Sequence, residues 1–248
     1  MARVIDQHVE PPRLCGYLGD RDATNEYRIM VGVSPEELEV MLVRGWRRFG
    51  PIYFRPACAA CAECVSLRIP VATFRPNRSQ RRARRAISGF RVTIGPPRVD
   101  EERVALHRTW YAARVRDRGW EASELAAEEY ALQFAHPHPA AREITFHDGD
   151  RLVAVSLVDV TPNAWSAIYF FYDPAIADRS PGIANVLLGV ELARARGISH
   201  VYLGYRVSDC ASMRYKATFG PHELLLTRPG FDEEPAWSAP VPAQPRSL

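Results

Sequence analysis

The sequence predicts an α+β fold in two parts, a small N-terminal domain with a cysteine cluster and a larger C-terminal domain. The second half has the order helix, helix, β-hairpin, strand, helix, strand, helix, strand, which is typical of α+β proteins. Gly95-Pro96-Pro97 interrupts the periodic pattern, so we place a domain boundary between residues 95 and 100. We therefore expect domains over 1–95 and 100–227, followed by a disordered, proline-rich tail over 228–248.

The composition limits the classes of protein to which this chain can belong. The 248 residues are 47% hydrophobic and 25% charged, which is enough for a sizeable core. The net charge is only +3, yet nine arginines and one acidic residue fall between Val65 and Asp100. Such local basicity favours an anionic partner. No run of 18 apolar residues and no apolar N-terminal stretch is present, so we expect a cytoplasmic protein with no membrane partner.

The first half begins its regular structure with a clear helix start. Ser34-Pro35-Glu36-Glu37 offers an N-cap, a proline at the first helical position and acidic residues in the first turn. Strands follow over 52–54, 66–74 and 90–94, and Pro70 in the second indicates an edge strand or a bulge. The span 77–87 is predicted to be a helix. Arg78, Arg81, Arg82 and Arg85 then share one of its faces.

The second half alternates between helices and strands. We predict helices over 100–118, 124–135, 183–196 and 211–217, and strands over 142–147, 151–160, 164–172, 201–207 and 223–226. Asp148-Gly149-Asp150 predicts a hairpin between the first two strands of this half. Strands 164–172 and 201–207, linked by a helix, are expected to form a parallel pair with a right-handed crossover.

This element order resembles the GNAT acyltransferase fold. In that fold an acyl donor lies where two central strands splay apart, and a helix N-terminus binds donor phosphates. The run from Arg179 to Ala184 resembles the R/Q-x-x-G-x-G/A loop of GNAT proteins, and Gly182 would allow close approach of the backbone. A plain helix-capping turn is the alternative interpretation of this loop.

The cysteine spacing indicates a second kind of site. Cys58, Cys61 and Cys64 form a C-x2-C-x2-C run, whose thiolates can converge on one metal ion or iron–sulfur cluster. In a cytosolic protein, clustered cysteines bind metal more often than they form disulfides. Reduced cysteines without a ligand are the remaining interpretation.

One segment is dense in unusual residues. The run from Tyr202 to Glu223 reads Y-L-G-Y, then C-x-x-M-x-Y-K-A-x-F-x-P-x-E, and resembles the C-terminal signature of the aminoacyl-tRNA–protein transferases. Further blocks resemble that family, at Cys15-Gly16-Tyr17-Leu18, Arg55 to Cys64, Ser79-Gln80-Arg81-Arg82 and Tyr169 to Pro174. Chain length and cysteine spacing are similar to its bacterial branch, the aspartate/glutamate leucyltransferases. Pro181 and Ser212 stand where that family usually has leucine and lysine.

The resemblance implies an enzyme that moves leucine, with phenylalanine as a further donor residue, from charged tRNA to a protein. The acceptor is the α-amino group of an N-terminal Asp or Glu, and the product enters the N-degron pathway of degradation. Arginyl transfer on the same scaffold is the first alternative. An acetyl-CoA-dependent GNAT acetyltransferase and a non-catalytic RNA-binding protein are the others. On the preferred interpretation, Arg78, Arg81, Arg82 and Arg85 contact tRNA phosphates, and a solvated arginine face is the alternative.

The resemblance also suggests roles for single residues. Lys216, Arg179, Arg68 and Arg206 are candidates to bind the acidic side chain of the acceptor. Asp209 or Glu223 are candidates to hold the incoming ammonium or take its proton, and Tyr172 and Tyr205 to support the oxyanion or leaving group. Each tyrosine is equally interpreted as a core residue, and Asp209 as a helix N-cap. Lys216 is the single lysine among 32 basic residues, which favours a wanted ammonium at that position.

For the cysteines, the resemblance favours an iron–sulfur cluster with Cys15 as a fourth ligand beside Cys58, Cys61 and Cys64. Structural zinc bound by the same residues and unliganded thiols are the alternatives. No organic cofactor is expected.

Overall fold

The computed structural model describes residues 1–240 as a mixed α/β fold. The strands are β1 Arg3–Val9, β2 Arg13–Leu14, β3 Asp22–Ala23, β4 Asn25–Val31, β5 Arg47–Phe49, β6 Ile52–Pro56, β7 Val65–Pro70, β8 Arg91–Gly95, β9 Ala141–Asp148, β10 Arg151–Val160, β11 Ala164–Tyr172, β12 His200–Arg206, β13 Glu223–Leu225 and β14 Trp237–Ser238. The helices are α1 Pro35–Leu42, α2 Arg78–Ala86, α3 Glu101–Arg118, α4 Ala127–Phe134, α5 Pro181–Ala195 and α6 Ala211–Arg214, with 3-10 turns at Pro174–Arg179 and Tyr215–Thr218.

Two larger sheets organise the chain. One has eight strands in the order β14-β13-β7-β12-β11-β10-β9-β8, and the other has four in the order β1-β4-β6-β5. Neighbouring strands of the eight-stranded sheet are antiparallel except for β11 and β12. That parallel pair is joined by α5, which confirms the predicted pair of parallel strands linked by a helix.

Three apolar clusters hold the layers together. Helices α2 and α5 cover one part of the large sheet, with Ala83, Leu187 and Trp165 in a common core. Helices α3 and α4 pack on β10 and β11 through a second core that contains Trp110 and Tyr130. A third cluster joins α1 and the four-stranded sheet to the large sheet, through Leu38, Met41, Leu42, Trp46, Tyr53, Ala164 and Tyr202.

The helix starts follow local side-chain chemistry. Ser34 Oγ accepts from the Glu37 amide and Glu37 Oε2 accepts from the Ser34 amide, which is the capping box that begins α1. Asn77 and Gln80 form the same reciprocal pair at the start of α2, with both bonds at 2.9 Å. Asp100 caps α3 through the Arg103 amide at 2.9 Å. The predicted helix at Ser34 and the predicted arginine helix are therefore confirmed.

The expected boundary near 95–100 does not separate two sheets. Strands β7 and β8 precede it in the chain, yet both belong to the eight-stranded sheet whose other strands follow it. Helix α2 also precedes it and packs on α5. The reason is topological, because β12 takes an antiparallel partner from the first half of the chain on its free side.

The tail expected over 228–248 is ordered over part of its length. Strand β14 pairs with β13, and Trp237 Nε1 donates to the Val43 carbonyl at 2.9 Å. The expectation of disorder is therefore wrong for 228–240, because the Trp237 ring finds a packing site beside Tyr202. Residues 241–248 lie outside the described residues. Within 1–240, no helix has both the length and the apolar character needed to span a bilayer.

Candidate active site

The two parallel strands at the centre of the large sheet stop pairing early. Residues Ala164–Ser166 of β11 pair with His200–Tyr202 of β12, and neither strand continues the pairing although both run further. The register of β12 against β7 shifts between Tyr202 and Gly204, where Gly204 adopts a φ of +73°. A glycine suits this left-handed conformation, which strains other residues. The strands therefore open a gap after Tyr202, which we call the splay.

Arg47 of β5 lies at the splay. One terminal nitrogen of its guanidinium donates to the Ala167 carbonyl, on the β11 side of the gap. A Cβ added to Gly204 would be 3.5 Å from Arg47 Nε, so the guanidinium lies against β12 as well. Its other terminal nitrogen is buried without a hydrogen-bond partner in the described part of the chain. Arg47 was not among the predicted site residues, because a single arginine in an arginine-rich chain carries no motif.

Lys216 approaches β12 just beyond Gly204. Its Nζ donates to the Tyr205 carbonyl at 2.7 Å. Burial, reinforced by the nearby Arg47 charge, lowers the pKa of Lys216 to about 7, while Cys210 and Cys64 act in the opposite direction. Near neutral pH this side chain can therefore exist as an amine that accepts a proton.

Tyr205 lies at the same strand end, but its hydroxyl is engaged in hydrogen bonds to the backbone. Its hydroxyl donates to the Gly45 carbonyl at 2.8 Å, with the Phe54 carbonyl at 3.3 Å. Burial raises the pKa of Tyr205, so the hydroxyl stays protonated. Tyr205 therefore anchors the end of β12 to the turn before β5 and to β6.

A cavity of about 600 Å³ opens beside this strand end. One wall is apolar and is formed by Phe49, Ile52, Phe54, Leu132 and Val207. The lining also includes Tyr205, the cysteines 15, 58, 61 and 64, and polar or charged residues such as Arg13, Asp22, Asn25 and Glu63. The predicted cysteine cluster and the predicted strand-end site therefore meet at one cavity.

Two of the four half-buried thiols, those of Cys58 and Cys61, take part in hydrogen bonds. The Thr24 amide donates to Cys58 Sγ at 3.4 Å, and Arg21 Nη1 lies 3.5 Å from Cys61 Sγ. Burial and the neighbouring cysteines raise the pKa of the Cys64 thiol to about 12. Over residues 1–240, no three His, Cys, Asp or Glu side chains are close enough to hold a metal ion as they are placed. The donor type around the cavity suits a soft metal, but the spacing is wider than a ligand set.

Two of the predicted catalytic residues are engaged elsewhere. Glu223 Oε2 accepts from Arg68 Nε at 2.6 Å across β13 and β7, and Arg68 also donates to the Tyr202 hydroxyl at 3.1 Å. Tyr172 accepts from Arg114 Nη2 at 2.7 Å at the far end of β11. Glu223 and Arg68 thus form a cross-strand ion pair, and Tyr172 links β11 to α3.

The remaining predicted residues lie around the strand ends. Asp209 is exposed and does not cap α6, whose N-cap is Cys210. Arg206 is partly buried, and its Nε is buried without a hydrogen-bond partner in residues 1–240. Arg179 Nη1 is 3.8 Å from Asp148 and its guanidinium stacks on Phe90.

The loop that begins α5 leaves its backbone accessible. A Cβ built on Gly182 would meet nothing within 4 Å. The preceding Ser180 adopts a φ of +54° and offers no side-chain cap to the helix. Because α5 connects two parallel strands, its N-terminus lies at the carboxyl ends of β11 and β12, on the edge where the splay opens.

The arginine face of α2 is exposed as predicted. Arg78, Arg81, Arg82 and Arg85 are all exposed, whereas Gln80 and Ala83 face the core. The helix is tied to the candidate site, because Gln80 Nε2 donates to the Thr218 carbonyl at 3.0 Å in the turn that carries Lys216. A polyanion on this face would therefore lie next to that turn.

Family models of known proteins match both halves of this chain. The family described as "Arginine-tRNA-protein transferase, C terminus" matches residues 102–226, and its N-terminal counterpart matches 13–82. A protein of Chromobacterium violaceum named aspartate/glutamate leucyltransferase is 38% identical over 89% of this chain and 91% of its own. Proteins of the same name from Halorhodospira halophila and Helicobacter hepaticus are 37% and 30% identical, over 85% and 95% of this chain and 90% and 98% of their own. Among solved structures, L-PGS from Bacillus licheniformis superposes with a TM-score of 0.46 at 13% identity, over 82% of this chain and 63% of that one.

Proposed function

Because the chain belongs to the aminoacyl-tRNA–protein transferase family, we propose that it transfers leucine from charged tRNA to proteins that begin with Asp or Glu. The chain is an aminoacyltransferase, with an aminoacyl-tRNA as donor and a protein as acceptor. Leucine as the donor residue, with phenylalanine as a second, and the acidic N-terminus are the proposed specificity. The modified protein would then be degraded by the N-degron pathway in the cytoplasm.

The observation that carries this proposal is the position of Lys216. Its Nζ donates to the carbonyl of Tyr205 beside the splay, and Tyr205 is one of the residues that line the cavity. The donor is an activated ester, so the reaction needs an orienting site, a base and oxyanion stabilisation rather than a covalent intermediate. An amine with a pKa of about 7 suits the base, because it can take a proton from the attacking α-amino group near neutral pH. The apolar wall of the cavity suits the leucyl side chain.

Arg206 is the cation that we assign to the acidic residue of the acceptor. Arg68 already pairs with Glu223 and Arg179 lies near Asp148, so each has a carboxylate within reach. Arg206 ends β12, and a nitrogen of its guanidinium is buried and unpaired in the part of the chain that the structure describes. A carboxylate would satisfy that nitrogen.

For the fold, we propose a GNAT-like domain in the second half, completed by β7, β8 and α2 from the first half. The hairpin β9–β10, the strand β11, the helix α5 and the strand β12 support this, because they follow one another in the order expected of that fold. The segment that precedes β7 carries the cysteines and the four-stranded sheet.

An iron–sulfur cluster bound by Cys15, Cys58, Cys61 and Cys64 also stays a proposal. Its support is that the four thiols line one cavity. The cluster would supply a redox-sensitive structural centre in the cavity wall. Metal analysis of protein purified without oxygen distinguishes stoichiometric iron from zinc, and neither metal near stoichiometry would contradict a bound centre.

The test of the function is a donor and acceptor matrix. Radiolabelled Leu-tRNA, Phe-tRNA, Arg-tRNA and acetyl-CoA are supplied in turn with peptides that begin with Asp, Glu or Ala. We expect label from Leu-tRNA on the Asp and Glu peptides and none on the Ala peptide. Label from Arg-tRNA alone would support the arginyl alternative, and label from acetyl-CoA alone would overturn the proposal.

A further inference from the structure

We propose that Arg47 is a catalytic residue, whose free guanidinium nitrogen binds the carbonyl oxygen of the acyl group during transfer. This inference rests on the proposed transfer reaction, and it assigns a role to a residue outside the sequence motifs.

The position is the splay itself. Arg47 donates to Ala167, the first residue of β11 beyond the last pair with β12, and its guanidinium lies against Gly204. Tyr205, whose carbonyl binds Lys216 Nζ, is the next residue along β12. The guanidinium and the amine therefore meet the same two-residue stretch of backbone, the arrangement needed if one stabilises the oxyanion and the other takes the proton.

The charge of Arg47 is unusual for its surroundings. The next residue, Arg48, is also buried, but it forms a bidentate ion pair with buried Asp159. No carboxylate forms a salt bridge with Arg47 in residues 1–240, and its Nη1 is both buried and without a partner. A buried donor without a partner loses its hydrogen bonds to water and gains none in return, so a ligand oxygen at this position would stabilise it. An oxygen that gains negative charge during the reaction would complete this one.

The chemistry requires such a donor. The α-amine nitrogen of the acceptor attacks the ester carbonyl carbon, a C–N bond forms, and the carbonyl electrons move to the oxygen. Arg47 binds this oxyanion while the amine proton passes to Lys216. The oxyanion then collapses, the bond from carbon to the ribose oxygen breaks, and that oxygen takes the proton. The products are a peptide bond and uncharged tRNA, with no other reactant consumed.

The test compares Arg47→Gln with Arg44→Gln as a matched control. Arg44 also donates to backbone carbonyls, those of Gly230, Phe231 and Glu233, but lies away from the splay. Because Arg47 lowers the pKa of Lys216, kcat is taken from the plateau of each variant's pH profile. We expect Arg47→Gln to lower kcat by about 10²–10³-fold with little change in KM for Leu-tRNA, which is the cost of removing one oxyanion donor. Arg44→Gln should lower Tm without changing kcat per folded molecule.

Two probes, one uncharged and one charged, distinguish a catalytic role of Arg47 from a structural role. The first is a leucyl-adenosine with an amide in place of the ester, and the second carries a phosphonate whose charged oxygen mimics the oxyanion. We expect Arg47→Gln to change binding of the amide little and to weaken binding of the phosphonate by about 30-fold or more, because hydrogen bonds to charged groups are stronger. An equal effect on both probes, or a plateau kcat within about 3-fold of wild type, would overturn the proposal. A wild-type protein without transfer activity would instead refute the proposed function.

Discussion

Lys216 is the single lysine of the chain, and its surroundings decide the pH at which it can act as a base. Its pKa is lowered to about 7 by burial and by the Arg47 charge, so the amine form dominates above that pH. We expect plateau activity to require deprotonated Lys216 and to fall as the pH drops below about 7. Lys216→Arg should lower kcat by about 10²–10⁴-fold at every pH, because a guanidinium keeps the charge but takes no proton. An unchanged acidic limb in the pH profile of Lys216→Arg would exclude Lys216 as the base.

The lowered pKa of Lys216 also makes the free energy of unfolding depend on pH. The pKa of Lys216 is lower in the folded state than the ordinary 10.5, so the unfolded chain binds more protons between about pH 7 and 10.5. The free energy of unfolding therefore gains a favourable contribution as the pH rises through that window, and carries the full penalty below it. We expect Lys216→Met to raise Tm at pH 6 and to have a smaller effect at pH 10.5, measured by thermal unfolding. A destabilised Lys216→Met at pH 6 would contradict a buried, costly ammonium.

At the scale of single elements, the arginine face of α2 should determine how binding depends on salt. Each phosphate contact releases counterions, so replacing Arg78, Arg81, Arg82 and Arg85 by glutamine one at a time should reduce the slope of log K against log salt by about 1 each. The matched control is Arg116→Gln with Arg118→Gln, since these two exposed arginines end α3 rather than α2. Filter binding of tRNA over a salt series measures the slope. Equal changes in the α2 and α3 variants would remove the special role of α2.

The elements that the sequence predicted well are those with strong local signals. Capping residues and residue periodicity indicate α1, α2 and α3. Asp148-Gly149 indicates the hairpin of β9 and β10. Strand β1 was missed because all seven of its residues are exposed, so no alternation of burial marks it. Pro70 predicted an edge strand or a bulge. Strand β7 is not an edge strand, because it lies between β12 and β13, but its pairing with β12 does shift register, between Tyr202 and Gly204. The proline is tolerated because it is the last residue of β7, beyond the residues that pair with β13.

At the scale of the whole molecule, the shared sheet makes the two halves of the chain interdependent. Fragment 100–248 lacks β7, which pairs with both β12 and β13, and lacks α2, which covers α5. We expect this fragment alone to show no cooperative thermal transition by circular dichroism. Adding fragment 1–99 should restore both the transition and transfer activity. A cooperative transition in the isolated fragment would show that the second half is an autonomous domain.

Only part of the candidate site could be predicted from the sequence. Lys216 and Tyr205 lie close together along the chain, so one motif contains both. Arg47, Phe49 and the cysteines reach the site from distant segments, and only the pairing of the sheets brings them there. Contacts of this kind depend on the complete topology, which local periodicity does not encode.

Gln80 has a consequence for how mutations in this protein should be interpreted. Its Oε1 accepts from Asn77 to begin α2, while its Nε2 donates to the Thr218 carbonyl beside Lys216. Gln80→Ala would remove both bonds and so would confound loss of tRNA affinity with loss of turnover. Gln80→Glu keeps the capping acceptor but replaces the donor by a buried negative charge that faces the Thr218 carbonyl, so it should preserve the start of α2 and lower kcat by displacing the turn that carries Lys216. One amide side chain therefore connects α2 to the turn that carries Lys216. A substitution at Gln80 disturbs tRNA binding and catalysis together unless it keeps the capping oxygen.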